Sequence, residues 1–110
     1  MKRKYRNTPV VIDGVRFDSK GEWARWMELC LLHAAGHISN LKRQVSYELA
    51  PSVKIAGEKR ARPPLRLKVD FQYVQDGKTV VEDFKGYADK AFRIRQHLMK
   101  SVHGIDVRLS

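Results

Sequence analysis

Cysteine is almost missing from this chain of 110 residues; Cys30 is the single one. A disulfide framework within the chain and a cysteine-built zinc site are both excluded, and the composition fits a reduced compartment such as the cytoplasm. Long apolar runs are missing as well. None reaches the ~18 residues that a membrane-spanning helix requires. The basic start Met1-Lys2-Arg3-Lys4-Tyr5-Arg6-Asn7-Thr8 lacks the apolar stretch of a secretory signal. No glycine-rich phosphate loop of the P-loop kind occurs, which argues against a nucleotide-driven motor. Acidic residues are scarce: 12 Asp and Glu stand against 22 Lys and Arg, a formal net charge of +10. That balance selects a polyanionic partner, nucleic acid before a membrane surface.

What is present is a foldable domain. Hydrophobic residues make up 43% of the chain, which excludes a disordered tail. The length implies one domain over residues 1–110, with a radius of gyration of ~13 Å if compact. Residues 10–17 read as a hairpin, because Asp13-Gly14 favours a primed turn between two apolar arms. A helix capped by Asp18 or Ser19 follows, with Trp23, Trp26, Met27, Cys30, Leu31 and Ala34 as its apolar stripe and Gly36 as its stop. Val45, Tyr47 and Leu49 alternate with Gln44, Ser46 and Glu48, the pattern of a half-buried strand. Residues 51–64 read as an exposed basic loop holding Lys59, Arg60 and Arg62, and residues 1–8 as a flexible basic arm. Residues 66–74 and 79–85 read as two strands around Asp76-Gly77. A second helix over about residues 89–102 turns Ala91, Phe92, Leu98, Met99 and Val102 inward and stops at Gly104; Ile105, Val107 and Leu109 form a last strand. The order ββ-α-β-β-β-α-β specifies an α/β (α+β) domain with a mixed sheet.

The chemistry concentrates in the hairpin around Asp76-Gly77. With a loop of two or four residues, its register sets Asp70 opposite Asp83 and Lys68 opposite Lys85, at a Cβ separation of ~4.5–5.5 Å. Alternation puts Asp70, Asp83 and Lys85 on one face. The other face carries Leu67, Val69, Phe71, Tyr73, Val80 and Phe84, with Glu82 as the one polar exception. Two facing carboxylates destabilise a sheet unless a cation or a proton sits between them. Their oxygens suit a hard divalent ion such as Mg²⁺. A lysine on the same face can hold a water or steady charge developing on phosphorus. The bland alternative is a solvent-facing polar strand surface. Glu22, in the first turn of the first helix, can reach the sheet; Ser19-x-x-Glu22 also reads as a capping box. Lys90, Arg93, His97 and Lys100 share the outer side of the second helix, either as phosphate contacts or as a solvated face. Cys30 reads as core, and His33 and His37 as cations at a helix end rather than a zinc pair.

Asp70 followed by Asp83-x-Lys85 across a hairpin, with a helical Glu22 upstream, resembles the PD-(D/E)xK nuclease superfamily. The element order resembles its restriction-endonuclease-like αβββαβ core. Phe17-x-Ser19-x-x-Glu22, Gly36-x-Ile38-x-x-Leu41-x-x-Gln44, Val69-Asp70-Phe71 and Val81-Glu82-Asp83-Phe84-Lys85-Gly86 look like the compact phage-encoded branch related to archaeal-type Holliday-junction resolvases. Val69 departs from the proline, and Asp83 from the glutamate, of the usual motif. The resemblance implies a Mg²⁺-dependent DNA endonuclease, with Mn²⁺ as a substitute ion, acting on branched or duplex DNA as a homodimer in the cytoplasm of a bacterial host. It implies Glu22, Asp70, Asp83 and the backbone carbonyl of Phe84 as metal ligands, Lys85 as the catalytic lysine and Gln44 as a polar neighbour. Lys59, Arg60, Arg62, Lys90, Arg93 and Lys100 are expected to hold the DNA backbone. The rival reading is a non-catalytic, basic nucleic-acid-binding module whose acidic hairpin is only surface.

Overall fold

The structure is a computed structural model that describes residues 8–85 and 87–110. The basic arm expected at residues 1–8 lies outside the described residues apart from Thr8. A short hairpin comes first, β1 (Val10–Ile12) and β2 (Val15–Phe17). Asp13 and Gly14 both take positive φ, 51° and 78°, as a two-residue primed turn requires. Helix α1 (Lys20–Ala34) is capped by Ser19, whose hydroxyl accepts from the Glu22 amide at 3.1 Å. The Gly36 and His37 amides close its end on the carbonyls of His33 and Leu32, with Gly36 at φ 80°. Then follow β3 (Ser39–Ala50), β4 (Leu65–Gln75) and β5 (Lys78–Asp83). Helix α2 (Lys90–His103) is capped by Asp89 and ended by Gly104 at φ 70°, and β6 (Val107–Leu109) completes the chain.

The result is an α+β domain with a mixed four-stranded sheet in the order β3-β4-β5-β6, antiparallel except for the parallel β5–β6 pair. One helix flanks each face. Leu49, Leu67, Val69 and Val81 pack with Phe92 and Met99 of α2. Leu29 of α1 packs with Ile38, Phe71 and Tyr73, and Trp26 stacks on Phe71 at 6.0 Å between ring centroids. The radius of gyration is 16.2 Å rather than the ~13 Å of a compact chain this long. The 12 residues of β3 explain much of the difference, since a strand rises ~3.4 Å per residue.

Three expectations need correction. On α1 the buried positions are Glu22 and Leu29, with Trp26 half-buried, whereas Met27 and Leu31 are 43% and 70% exposed. The helix is turned by about one residue from its apolar stripe, because Glu22 and Arg25 find polar partners on the sheet. On α2 and β6, Ala91, Val102 and Leu109 are exposed, since Phe92, Met99 and Val107 fill the space beneath the helix. The third concerns β4. Leu67 and Val69 belong to the α2 core, but Phe71 and Tyr73 belong to the α1 core. Strand alternation therefore slips at Asp70. It slips on β3 at the same rung, between Arg43, whose guanidinium lies over the Phe17 ring at 4.2 Å, and Val45, which packs under α2. Gln44, between them, takes a φ of 55°, a left-handed conformation that non-glycine residues rarely adopt.

Candidate active site

The β4–β5 ladder runs from Gln75↔Lys78 to Phe71↔Glu82, in the register expected from the Asp76-Gly77 turn. The next rung would be Asp70 with Asp83, and there the ladder gives way to side chains. The Asp70 amide donates to Asp83 Oδ1 at 3.0 Å, and the Phe84 amide donates to Asp70 Oδ2 at 2.9 Å. Each aspartate thus holds the other strand's backbone as the strands part. β5 ends at Asp83, so Lys85 lies beyond it rather than within it. Its ammonium stands 3.5 Å from Asp83 Oδ2 and 4.8 Å from the Phe92 ring centroid.

The left-handed turn at Gln44 accompanies a bond from its amide nitrogen Nε2 to Asp70 Oδ1 at 3.2 Å. Backbone strain of this kind persists where the surroundings fix it, often at functional sites. Glu22 arrives from α1. Its Oε2 accepts from the Asp18 amide at 3.1 Å and lies 3.8 Å from Arg43 Nη2. The capping role and the approach to the sheet are therefore both real, with the carboxylate reaching one residue further back than a standard box. Glu22, Asp70 and Asp83 are all buried, and they line one cavity of about 250 Å³ together with Gln44, Phe84 and Lys85.

So much negative charge in one place does not stay fully ionised. Burial, then the neighbouring Asp70 carboxyl, pushes Asp83 up to about 8, with Lys85 opposing. Burial and Asp70 likewise push Glu22 up to about 7. Among the described residues no three His, Cys, Asp or Glu side chains stand close enough together, as placed, to hold an ion. Asp70 spends both oxygens on Gln44 and Phe84. The donor chemistry still fits a hard divalent cation: the acidic groups are all oxygen donors, and Lys85 and Arg43 stand beside them at 3.5 and 3.8 Å.

Several residues of the site escaped the sequence reading. Lys68, Asp18 and Asp89 also line the cavity. Arg43 covers Glu22, and its Nε is buried without a hydrogen-bond partner. Gly21 is a further one, since a Cβ there would stand 2.3 Å from Phe84 Cζ. The Phe84 ring lies against the first turn of α1 only because position 21 has no side chain. Gly21→Ala is therefore expected to lower Tm, although alanine is favoured over glycine in helices by ~1 kcal/mol. A rise in Tm would show that the ring moves aside freely.

The predicted DNA contacts lie elsewhere. Lys59 and Arg60 are exposed in the loop between β3 and β4. Arg62 is engaged by Glu58 at 2.7 Å and props that loop. Arg93 and Lys100 line an open groove of about 580 Å³ between α2 and β6, where Lys100 also pairs with Asp106 at 2.8 Å. Lys90 is exposed at the start of α2. Cys30 is half-buried, and burial pushes its thiol up, which keeps it protonated and poorly nucleophilic. No helix among the described residues is long and apolar enough to cross a membrane. Residues 2–110 match the model of a family described as "Protein of unknown function (DUF1064)". No curated protein and no solved structure matches the chain.

Proposed function

The chain belongs to the DUF1064 family, and we propose that it is a divalent-metal-dependent endonuclease that hydrolyses phosphodiester bonds in DNA, selective for branched structure. The observation that carries this reading is the convergence of three buried carboxylates from α1, β4 and β5 on one cavity, with a lysine beside the last of them. A structural role does not call for such a cluster, because each added carboxylate raises the cost of ionising the others. Glu22, Asp70 and Asp83 would hold Mg²⁺, or Mn²⁺ in its place; the chemistry it supplies is polarisation of a water and of a phosphoryl oxygen. Gln44 and the Phe84 amide orient Asp70. Lys85 directs hydrogen bonds to the attacking water or to the phosphoryl oxygens as negative charge builds there.

With 110 residues, the chain has little room for a separate base-reading module. Recognition by shape and backbone suits it better, as does a branched substrate. Paired nicks on a two-fold junction would take two copies of the chain, one cavity each.

The test is incubation with four-way and linear DNA in Mg²⁺ and in chelator. Cutting is expected in Mg²⁺ and not in chelator, with the four-way substrate preferred. Lys85→Ala should keep DNA binding near normal, since it removes one of 22 basic residues. Cleavage should fall ~10²-fold or more, the usual loss for a donor to a transition-state oxyanion. Wild-type cutting rates in Lys85→Ala would remove the role given to that lysine. DNA retention without any cutting in Mg²⁺ would identify a binding module instead.

A further inference from the structure

The β3–β4 ladder runs on past the point where β5 stops. Residues 45–50 pair with residues 65–69, a stretch of β4 that has no partner on β5. One face of this extension is covered by α2 through Val45, Tyr47, Leu67 and Val69. The other face is bare: Ser46, Glu48, Arg66 and Lys68 are all exposed. It begins at the carboxylate cavity, which Lys68 lines, and ends at the loop carrying Lys59 and Arg60. Paired bonds between Val53 and Arg62, and the Glu58–Arg62 ion pair, hold that loop in shape. Lys59, Arg60 and Lys68 have no ion pair among the described residues. Across residues 46–68 six Lys and Arg stand against two Glu.

The dimensions match one ligand. From Asp70 back to Leu65 is ~17 Å at ~3.4 Å per residue, which is about half of the ~34 Å turn of B-DNA. We propose that one duplex arm of the DNA lies along this uncovered face. Lys68 meets a phosphate next to the reacting one, and Lys59 and Arg60, in the loop that carries the track on past Leu65, meet the backbone about half a turn or more away. On the far side of the cavity α1 covers the same face of the sheet through Leu29 and Trp26. The grip on DNA is therefore one-sided. This deepens the nuclease reading and rests on it for the position of the reacting phosphate.

The experiment measures binding of a duplex of about two turns (~20 bp) across a salt series. Lys59→Gln/Lys68→Gln is compared with the charge-matched Lys42→Gln/Lys78→Gln, whose lysines lie on the opposite side of the Asp70 rung along the strands. At ~0.9 per phosphate contact, the first pair should lower the log–log salt slope by about 2, and the second should leave it near wild type. Equal slopes for the two double variants would overturn the proposal. In the second arm, DNA is trimmed on one side of the cut and then on the other. Cutting should fail when one particular side is shorter than about half a turn (~5 bp) and persist when the opposite side is trimmed equally. Symmetric failure would also overturn it. A protein that cuts DNA yet shows equal slopes keeps the nuclease reading and loses the one-sided track. One with unequal slopes that cuts nothing keeps the track and loses the nuclease reading.

Discussion

In chelating buffer at pH 8, Asp83→Asn is expected to melt several degrees above the wild-type protein, and Mg²⁺ is expected to reverse that order. Burial and Asp70 push the Asp83 carboxyl up to about 8, against ~3.9 in an unfolded chain. A carboxyl raised on folding contributes stability that is complete below ~4 and is lost as pH rises through its folded value. Wild-type Tm should therefore fall between pH 5 and pH 8. Asparagine does not ionise, and its Oδ1 still accepts the Asp70 amide that Asp83 holds at 3.0 Å. The variant should fall less steeply, its remaining slope coming from Glu22, which is pushed up to about 7. At ~4–8 °C per kcal/mol the two proteins separate clearly at pH 8 and converge towards pH 5. A bound ion stabilises only the form that binds it. Wild-type Tm should climb with Mg²⁺ concentration while that of the variant hardly moves. Identical responses of the two proteins to Mg²⁺ would sink the carboxylate site, and the nuclease reading with it.

Glu82→Ala should be strongly destabilising. Glu82 is completely buried and accepts from Arg25 Nε at 2.6 Å, Arg25 Nη2 at 2.8 Å and the Tyr73 hydroxyl at 2.9 Å. Burial alone would raise its carboxyl, but Arg25 and Tyr73 together hold it below the usual carboxylate range. Removing the buried partner of such a pair costs ~3–5 kcal/mol, here as much from the vacated core and the Tyr73 hydroxyl left without its acceptor as from Arg25, which keeps Glu28 at 3.0 Å. Small domains have only ~5–15 kcal/mol to lose, so a Tm drop of more than ~10 °C is expected. Arg25→Met/Glu82→Leu, which fills the space with apolar volume, should recover most of it. A Glu82→Ala protein melting within ~2 °C of wild type would show that water replaces the carboxylate at no cost. The pair also spaces the site. Arg25 follows Glu22 by one helical turn, and Glu82 precedes Asp83 by one residue, so their contact sets how α1 stands against the end of β5.

The rung that matters most could be read from local chemistry. Asp76-Gly77 admits a two-residue primed turn, that turn fixes the register, and the register brings Asp70 to Asp83. The cap region of the first helix and both glycine stops were legible for the same reason, since each depends on residues within one turn of the chain. The face change at Asp70 was not. Alternation extrapolates a straight strand, and Gln44, unlike glycine, gives no warning of a positive φ. The rotation of α1 was hidden as well. A stripe chosen by hydrophobicity cannot show that Arg25 has a partner 57 residues away. The signal lay on the partner strand, where Glu82 interrupts an otherwise apolar face. A lone acid at a position that must be buried asks for a cation, and α1 offers Arg25 on the required side.

The simultaneous change of face on β3 and β4 also divides the interior into two compartments that share no buried side chain among the described residues. Opening in native proteins follows such packing units, each with its own free energy and its own pattern of amide exchange. Glu22 belongs to the unit under α1, Lys85 leans on Phe92 in the unit under α2, and Asp70 stands on the seam. Loosening of either unit takes the cluster apart even while the other stays folded. The fraction of time in which all four groups are assembled is thus governed by the weaker half, not by global unfolding. The amides of Asp70 and Phe84, each bonded to a carboxylate across the seam, are the two protons whose exchange would follow that weaker half directly.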